Sequence, residues 1–277
     1  MSTGTHAFSL DLRSGVRLEG ERAGAGLPLV LLHGLTATRR YVLMGSRYLA
    51  RAGCELIGFD ARGHGRSSPA PSRERYEYDD MVRDLEAVAA DVGGPVVLAG
   101  NSMGAATAVA HALRNPGGVE AMVVITPGFS GGARGDREMG DWERLADGLE
   151  RGGVDGFMEA YEPPADPRFR EAALRFTRQR LERHEHPQAV ADALRIVPGS
   201  FAFDGLEQLE RLDMPALVVG SRDESDPGHP LALAHEYAER LPRARLLVED
   251  EGKSPLAWQG AQLSRAIEQF LHDERLL

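Results

Sequence analysis

The sequence predicts an α/β fold, a doubly wound and mostly parallel sheet interrupted by one helical insertion. Three observations carry that expectation. Short apolar runs of strand length alternate with longer segments of helical periodicity. The alternation stops between about Phe129 and Asp213, where no strand-like run occurs. The 277 residues are enough for one large α/β domain or two small ones.

The elements follow in order. Ala7 to Leu12 and Val16 to Glu19, around Ser14-Gly15, read as a β-hairpin at a sheet edge. Leu29 to Leu32, Leu56 to Phe59, Val96 to Ala99, Ala121 to Ile125, Ala216 to Val219 and Arg245 to Val248 read as strands buried on both faces. Met81, Leu85, Val88 and Val92 form one helical stripe; Ala105, Ala108, Val109 and Ala112 form another. Leu263, Ile267, Phe270 and Leu271 give the last helix its inner face. Trp142 to Leu149, Phe169 to Leu181 and Ala189 to Val197 are helical candidates separated by Gly131-Gly132, Gly152-Gly153 and Pro163-Pro164. The expected organisation is a core of residues 1–128 and 213–277 with a helical cap at 129–212, over the C-terminal edge of the sheet.

Composition narrows the function. Lys plus Arg is 32 against 42 Asp plus Glu, a net charge of −10, which argues against nucleic acid or an anionic membrane as partner. Hydrophobic residues at 42% and charged residues at 27% are ordinary for a globular domain. The single cysteine, Cys54, excludes an intramolecular disulfide framework and a zinc site built on several cysteines. Met1 to Leu10 shows no basic start followed by an apolar run, and no stretch approaches the ~20 apolar residues of a membrane helix. These features predict a cytoplasmic protein acting on a small molecule. A homodimer is left open.

The sharpest motif is Gly100-Asn101-Ser102-Met103-Gly104, between a strand and a helix. In that setting G-x-S-x-G presents a serine hydroxyl at a tight strand-to-helix turn. The flanking glycines relieve crowding at the bend, and the helix N-terminus favours developing negative charge. The backbone N–H of Met103 is then an oxyanion donor. His33-Gly34 ends an earlier strand, and the next residue, Leu35, would offer a second N–H. Asp60-Ala61-Arg62-Gly63-His64-Gly65-Arg66-Ser67 reads as a structural turn locked by pairing of Asp with Arg. Six arginines between Arg168 and Arg183 read as a solvated helix face, or as a cap surface that attracts an anionic substrate.

Together with a Gly-x-x-Asp-x-x-x-Pro segment at Gly220 to Pro227, these motifs resemble the α/β-hydrolase superfamily over essentially the whole chain. The resemblance implies Ser102 as nucleophile, Leu35 and Met103 as the oxyanion hole, and an acid after the seventh strand. Asp223 fits by spacing, with Asp226 as competitor. It also implies a histidine after the eighth strand, where this chain has Gly252-Lys253. Serine is a poor nucleophile without a base. The expectation is therefore a non-standard triad of Ser102, Asp223 and Lys253. The alternatives are a histidine reaching the site from elsewhere (His229, His184, His186 or His64) or a broken triad. His184-Glu185-His186 lacks an evident third metal ligand, and the dinucleotide-binding glycine signature is missing after the first parallel strand, so neither metal nor cofactor is expected. The predicted function is a serine hydrolase that cleaves an ester, thioester, lactone or amide of a small molecule through an acyl-enzyme. The alternatives are a non-hydrolytic ligand-binding pseudoenzyme and a cofactor-free lyase.

Overall fold

The computed structural model describes residues 4–277. Its single sheet has eight strands in the order β1-β2-β4-β3-β5-β6-β7-β8. The strands are β1 Thr5–Asp11, β2 Arg17–Gly24, β3 Leu27–Leu32, β4 Cys54–Phe59, β5 Val96–Asn101, β6 Val119–Ile125, β7 Ala216–Gly220 and β8 Ala244–Val248. β1 and β2 form the expected antiparallel edge hairpin, and β3 to β8 run parallel. Each strand predicted from an apolar run is present, extended by one or two residues at an end, but β8, at the sheet edge, is only half-buried, contrary to the expectation of burial on both faces.

Strand alternation divides the core into two layers. Val30, Leu32, Leu98, Met122, Val124 and Val218 point to one face, against α2 (Tyr78–Val92), α3 (Met103–Arg114) and α7 (Leu231–Arg240). Leu29, Leu31, Val97, Ala99, Val123 and Val219 point to the other, against α1 (Tyr48–Arg51) and α8 (Gly260–Asp273). Burial of apolar side chains on both faces is why these strands read as runs rather than alternations.

Between β6 and β7 lie α4 (Asp136–Ala160), α5 (Pro167–Leu181) and α6 (Pro187–Ile196). They carry an apolar cluster of their own that includes Ala146, Leu149, Phe157, Leu181, Val190 and Leu194. The helix α4 breaks at Gly153, whose φ of +60° few side chains tolerate. The fold-back brings Gly148 and Gly156 together so closely that a Cβ on either would lie under 2.5 Å from the other's carbonyl oxygen, at 2.4 and 2.2 Å.

The turn after β4 differs from expectation in one respect: Asp60 and Arg62 do not pair with each other. Asp60 binds the side chain and backbone N–H of Arg39 and accepts from the Arg66 N–H at 3.1 Å. Arg62, almost fully buried, makes a two-pronged pair with Asp84 of α2 at 2.8 and 2.6 Å. The turn is thus tied outward to two other elements. No helix among the described residues is long and apolar enough to cross a membrane.

Candidate active site

The parallel register sets the ends of β3, β5, β6, β7 and β8 side by side. Leu32 pairs with Gly100, Asn101 with Ile125, Ile125 with Val219, and Gly220 with Val248. Residues just beyond these ends therefore share one edge of the sheet, where ligands of such folds collect.

Ser102 stands first among them, at φ +50° and ψ −108°, a conformation seldom adopted by a residue with a Cβ. Its backbone N–H donates to the Ile125 carbonyl at 3.0 Å, and the Ala106 N–H donates to its own carbonyl at 3.0 Å. The glycines around it are required by close approach. A Cβ on Gly100 would lie 2.3 Å from the Gly104 carbonyl oxygen, and one on Gly104 would lie 2.2 Å from that of Leu32. The strain at Ser102 is thus held between two strands and a helix. Met103 opens α3, where the first N–H groups lack helical acceptors. Leu35 follows β3 at the same edge, beside Thr36 with its φ of +68°.

The partner of Ser102 comes from the loop after β7. The Ser102 hydroxyl donates to His229 Nε2 at 2.8 Å. On the other side of the ring, Nδ1–H donates to Asp226, with its carboxylate oxygens at 2.9 and 3.0 Å. The carboxylate fixes the proton on Nδ1 and leaves Nε2 as acceptor toward the hydroxyl. The loop geometry explains the pairing. Ser225 and Asp226 donate their N–H groups to the Arg222 carbonyl, and His229 N–H donates to that of Asp226. This turn through Pro227-Gly228 folds His229 back onto an acid three residues earlier. Gly128 keeps the approach open, since a Cβ there would lie 3.1 Å from the imidazole and 3.3 Å from Ser102 Oγ.

The structure does not bring Asp223 or Lys253 to Ser102. Asp223 Oδ1 accepts the Leu231 N–H at 2.8 Å, at the start of α7, which turns its carboxylate toward the helix end. Lys253 is exposed in a turn after β8, where its N–H donates to the Asp250 carbonyl at 3.0 Å. The β8 loop instead braces the β7 loop. Glu249 accepts the Arg222 N–H at 2.8 Å, and Arg222 Nε donates to the Glu249 carbonyl at 3.1 Å. Asp226 and His229, weighed in the sequence only as alternatives, are the residues that meet the serine. The signal that could have ranked them first is Asp-Pro-Gly-His itself, a turn former between an acid and a base.

Of the remaining candidate histidines, His184 and His64 are engaged elsewhere. His184 accepts the Gly65 N–H at Nδ1, 2.8 Å away, and donates from Nε2 to the Thr36 carbonyl at 2.9 Å. His64 is buried and donates from Nδ1 to the Arg62 carbonyl at 2.9 Å. His186 stands at the start of α6.

Ser102, Asp226 and His229 border a cavity of about 270 Å³. Tyr41, Trp142, Tyr161, Phe176 and Trp258 give it aromatic walls, and the insertion supplies three of these. Two arginines, Arg134 and Arg180, reach it as well. Neither Asp223 nor Lys253 lines it.

Residues 29–264 match the Alpha/beta hydrolase family. The chain belongs to this family. Among proteins of known role, it is 36% identical over 119 residues to an sn-1-specific diacylglycerol lipase of Mus musculus, covering 39% of this chain and 38% of that one. It is 25% identical over 262 residues to a proline iminopeptidase of Saccharolobus solfataricus, covering 85% and 81%. The chain spans about a third to two fifths of the length of several curated relatives it matches. Among solved structures, a thermophilic esterase from Thermogutta terrifontis superposes with a TM-score of 0.79 at 23% identity, covering 97% of this chain and 98% of that one. An enol-lactonase from Burkholderia xenovorans gives 0.78 at 19%, covering 95% and 99%. At these identities the structures share the fold.

Proposed function

We propose that this hydrolase-family chain is a serine hydrolase that cleaves a small carboxylic ester or lactone, with Ser102, His229 and Asp226 as its triad. The observation that carries the reading is the contact between His229 Nε2 and Ser102 Oγ at 2.8 Å, backed by Asp226. Ser102 Oγ attacks the substrate carbonyl while His229 takes its proton. The tetrahedral oxyanion is met by the N–H groups of Leu35 and Met103. Collapse breaks the bond to the alcohol, which leaves with the proton from His229. Water, deprotonated by the same imidazole, then attacks the acyl-serine and releases the acid, restoring Ser102. Asp226 holds the imidazole in its tautomer. Residues of α4 and α5 act as the cap, closing the site over an apolar acyl or alkyl group.

The test is labelling by a fluorophosphonate, read as intact mass. The wild-type protein gains one phosphonyl group, and Ser102→Ala gains none. In His229→Ala the labelling rate falls at least ~100-fold, as expected for loss of a general base. In Lys253→Ala it stays near wild type. Labelling that survives in His229→Ala but fails in Lys253→Ala would return the base to the β8 loop. No labelling of the wild type at any pH would leave a ligand-binding protein on this fold.

A further inference from the structure

The helix α5 presents Ala173, Phe176, Thr177 and Arg180 to the cavity, at spacings i, i+3, i+4 and i+7 along one face. The arginines flanking this face behave as a solvated surface: Arg168 pairs with Asp166, Arg175 with Glu171 and Arg178 with Asp155. Arg180 differs from all three. Its Nε is shielded from solvent with no acceptor, and its guanidinium takes part in no ion pair among the described residues. Burial pulls its pKa below the ordinary arginine value, with Tyr161, Asp226 and Tyr41 opposing. A shielded Nε–H with no acceptor, on a half-buried guanidinium that lines the cavity, is costly and calls for one.

The neighbouring carboxylates are committed. Asp226 gives both oxygens to His229. Glu162, on the cavity rim, turns outward to Arg144 at 3.1 Å. The other arginine of the cavity, Arg134, also leaves its Nε without an acceptor, but its terminal nitrogens pair with Glu138 and the Gly128 carbonyl. Of the two arginines lining the cavity, Arg180 is therefore the one without an ion-pair partner among the described residues. Guanidinium matches a planar two-oxygen acceptor in a fork of two hydrogen bonds. A single free charge suits a monoanion better than a phosphate group, which carries about −1.5 to −2 at neutral pH.

We propose that Arg180 is the specificity residue of this site and that the substrate is an ester or lactone bearing a free carboxylate, which docks on Arg180 while the scissile carbonyl lies at Ser102. This rests on the hydrolase reading above. The carboxylate takes no part in bond making; it sets which molecules are held in register.

The experiment compares monomethyl glutarate with dimethyl glutarate, which differ in that one charge, using initial rates in wild type, Arg180→Met and Arg180→Lys. The wild type is expected to favour the half-ester in kcat/KM by at least ~10-fold, the worth of one charged hydrogen-bonded contact. In Arg180→Met that preference falls at least ~10-fold, mostly through KM, and Arg180→Lys keeps part of it. A preference equal in wild type and Arg180→Met, or no preference in the wild type, would overturn the proposal. Calorimetric titration with monomethyl glutarate, the monoanion, decides the matter if neither ester is turned over. Saturable binding that Arg180→Met abolishes supports it, and a wild type that does not bind the half-ester sinks it. Fluorophosphonate labelling of Ser102 reports separately on the hydrolase reading. The thermal midpoint adds a readout that a structural role would reverse: replacing an unpaired, half-buried charge by Met raises Tm, whereas loss of a structural arginine lowers it.

Discussion

Two aspartates three residues apart do different work, and the difference lies in what each can reach. Asp223 meets the first N–H of α7, whereas Asp226 meets an imidazole. Asp226→Asn is expected to lower kcat/KM by roughly 10²- to 10⁴-fold, because an amide no longer holds the reactive tautomer. Asp223→Ala leaves kcat/KM near wild type and costs about 1 kcal/mol of stability through the lost helix-end acceptor. Steady-state rates and denaturant midpoints on the two variants separate these roles. The reverse pattern would make Asp223 the acid. Ser102 was legible in the sequence because its conformation is imposed by neighbours in the chain. The proposed base, His229, was legible only as an alternative, because the resemblance places a histidine after β8. The contact that replaces it depends on a four-residue turn closing in space, as Asp226 through His229 do here.

At the level of elements, the strands and most helices were legible because burial on both sheet faces leaves a dense apolar signature. Pairings between turns left none. Nothing near Asp60 in sequence announces that it meets Arg39, or that Arg62 reaches Asp84 on α2. The packing of α3 on β3 gives a prediction of its own. Gly104 lies in a helix, where Gly→Ala ordinarily stabilises by up to about 1 kcal/mol. Here the added methyl would sit 2.2 Å from the Leu32 carbonyl oxygen. Gly104→Ala is therefore expected to destabilise by about 1–3 kcal/mol, the usual cost of overpacking, and to slow Ser102 labelling as α3 is pushed off the sheet. Urea unfolding checks the first part and probe kinetics the second. A stabilised variant would mean that the strand-to-helix turn at Ser102 has room the geometry denies.

Across the whole molecule, three histidines, two buried and one half-buried, join parts of the chain that are distant in sequence. His33 follows β3, His64 lies in the turn after β4, and His184 comes from the helical insertion. Their rings lie 5.2 Å apart for the first pair and 5.5 Å for the second, and His184 bonds to both the β3 and β4 loops. His33 accepts the Ala61 N–H at 2.9 Å and donates to the Gly34 carbonyl, so it too is held neutral. Burial holds all three below the usual histidine value, with His184 pulled down to about 4. In the unfolded chain they titrate near ~6.5. Below that value the unfolded state binds protons that the folded state refuses, so stability is complete above ~6.5 and falls as pH drops toward about 4. The slope should be on the order of 1 kcal/mol per pH unit for each histidine. Urea midpoints at pH 7.5 and 5.5 measure it, and His184→Gln should remove one contribution and flatten the dependence. The joint also carries the Thr36 carbonyl, one residue beyond the Leu35 N–H proposed for the oxyanion, so the insertion should loosen from the active-site edge before the sheet unfolds. Hydrogen exchange at pH 5.5 would show that as faster exchange in α5 and the loop after β3 than in β5 and β6. Equal protection across the molecule would mean that insertion and sheet open as one unit.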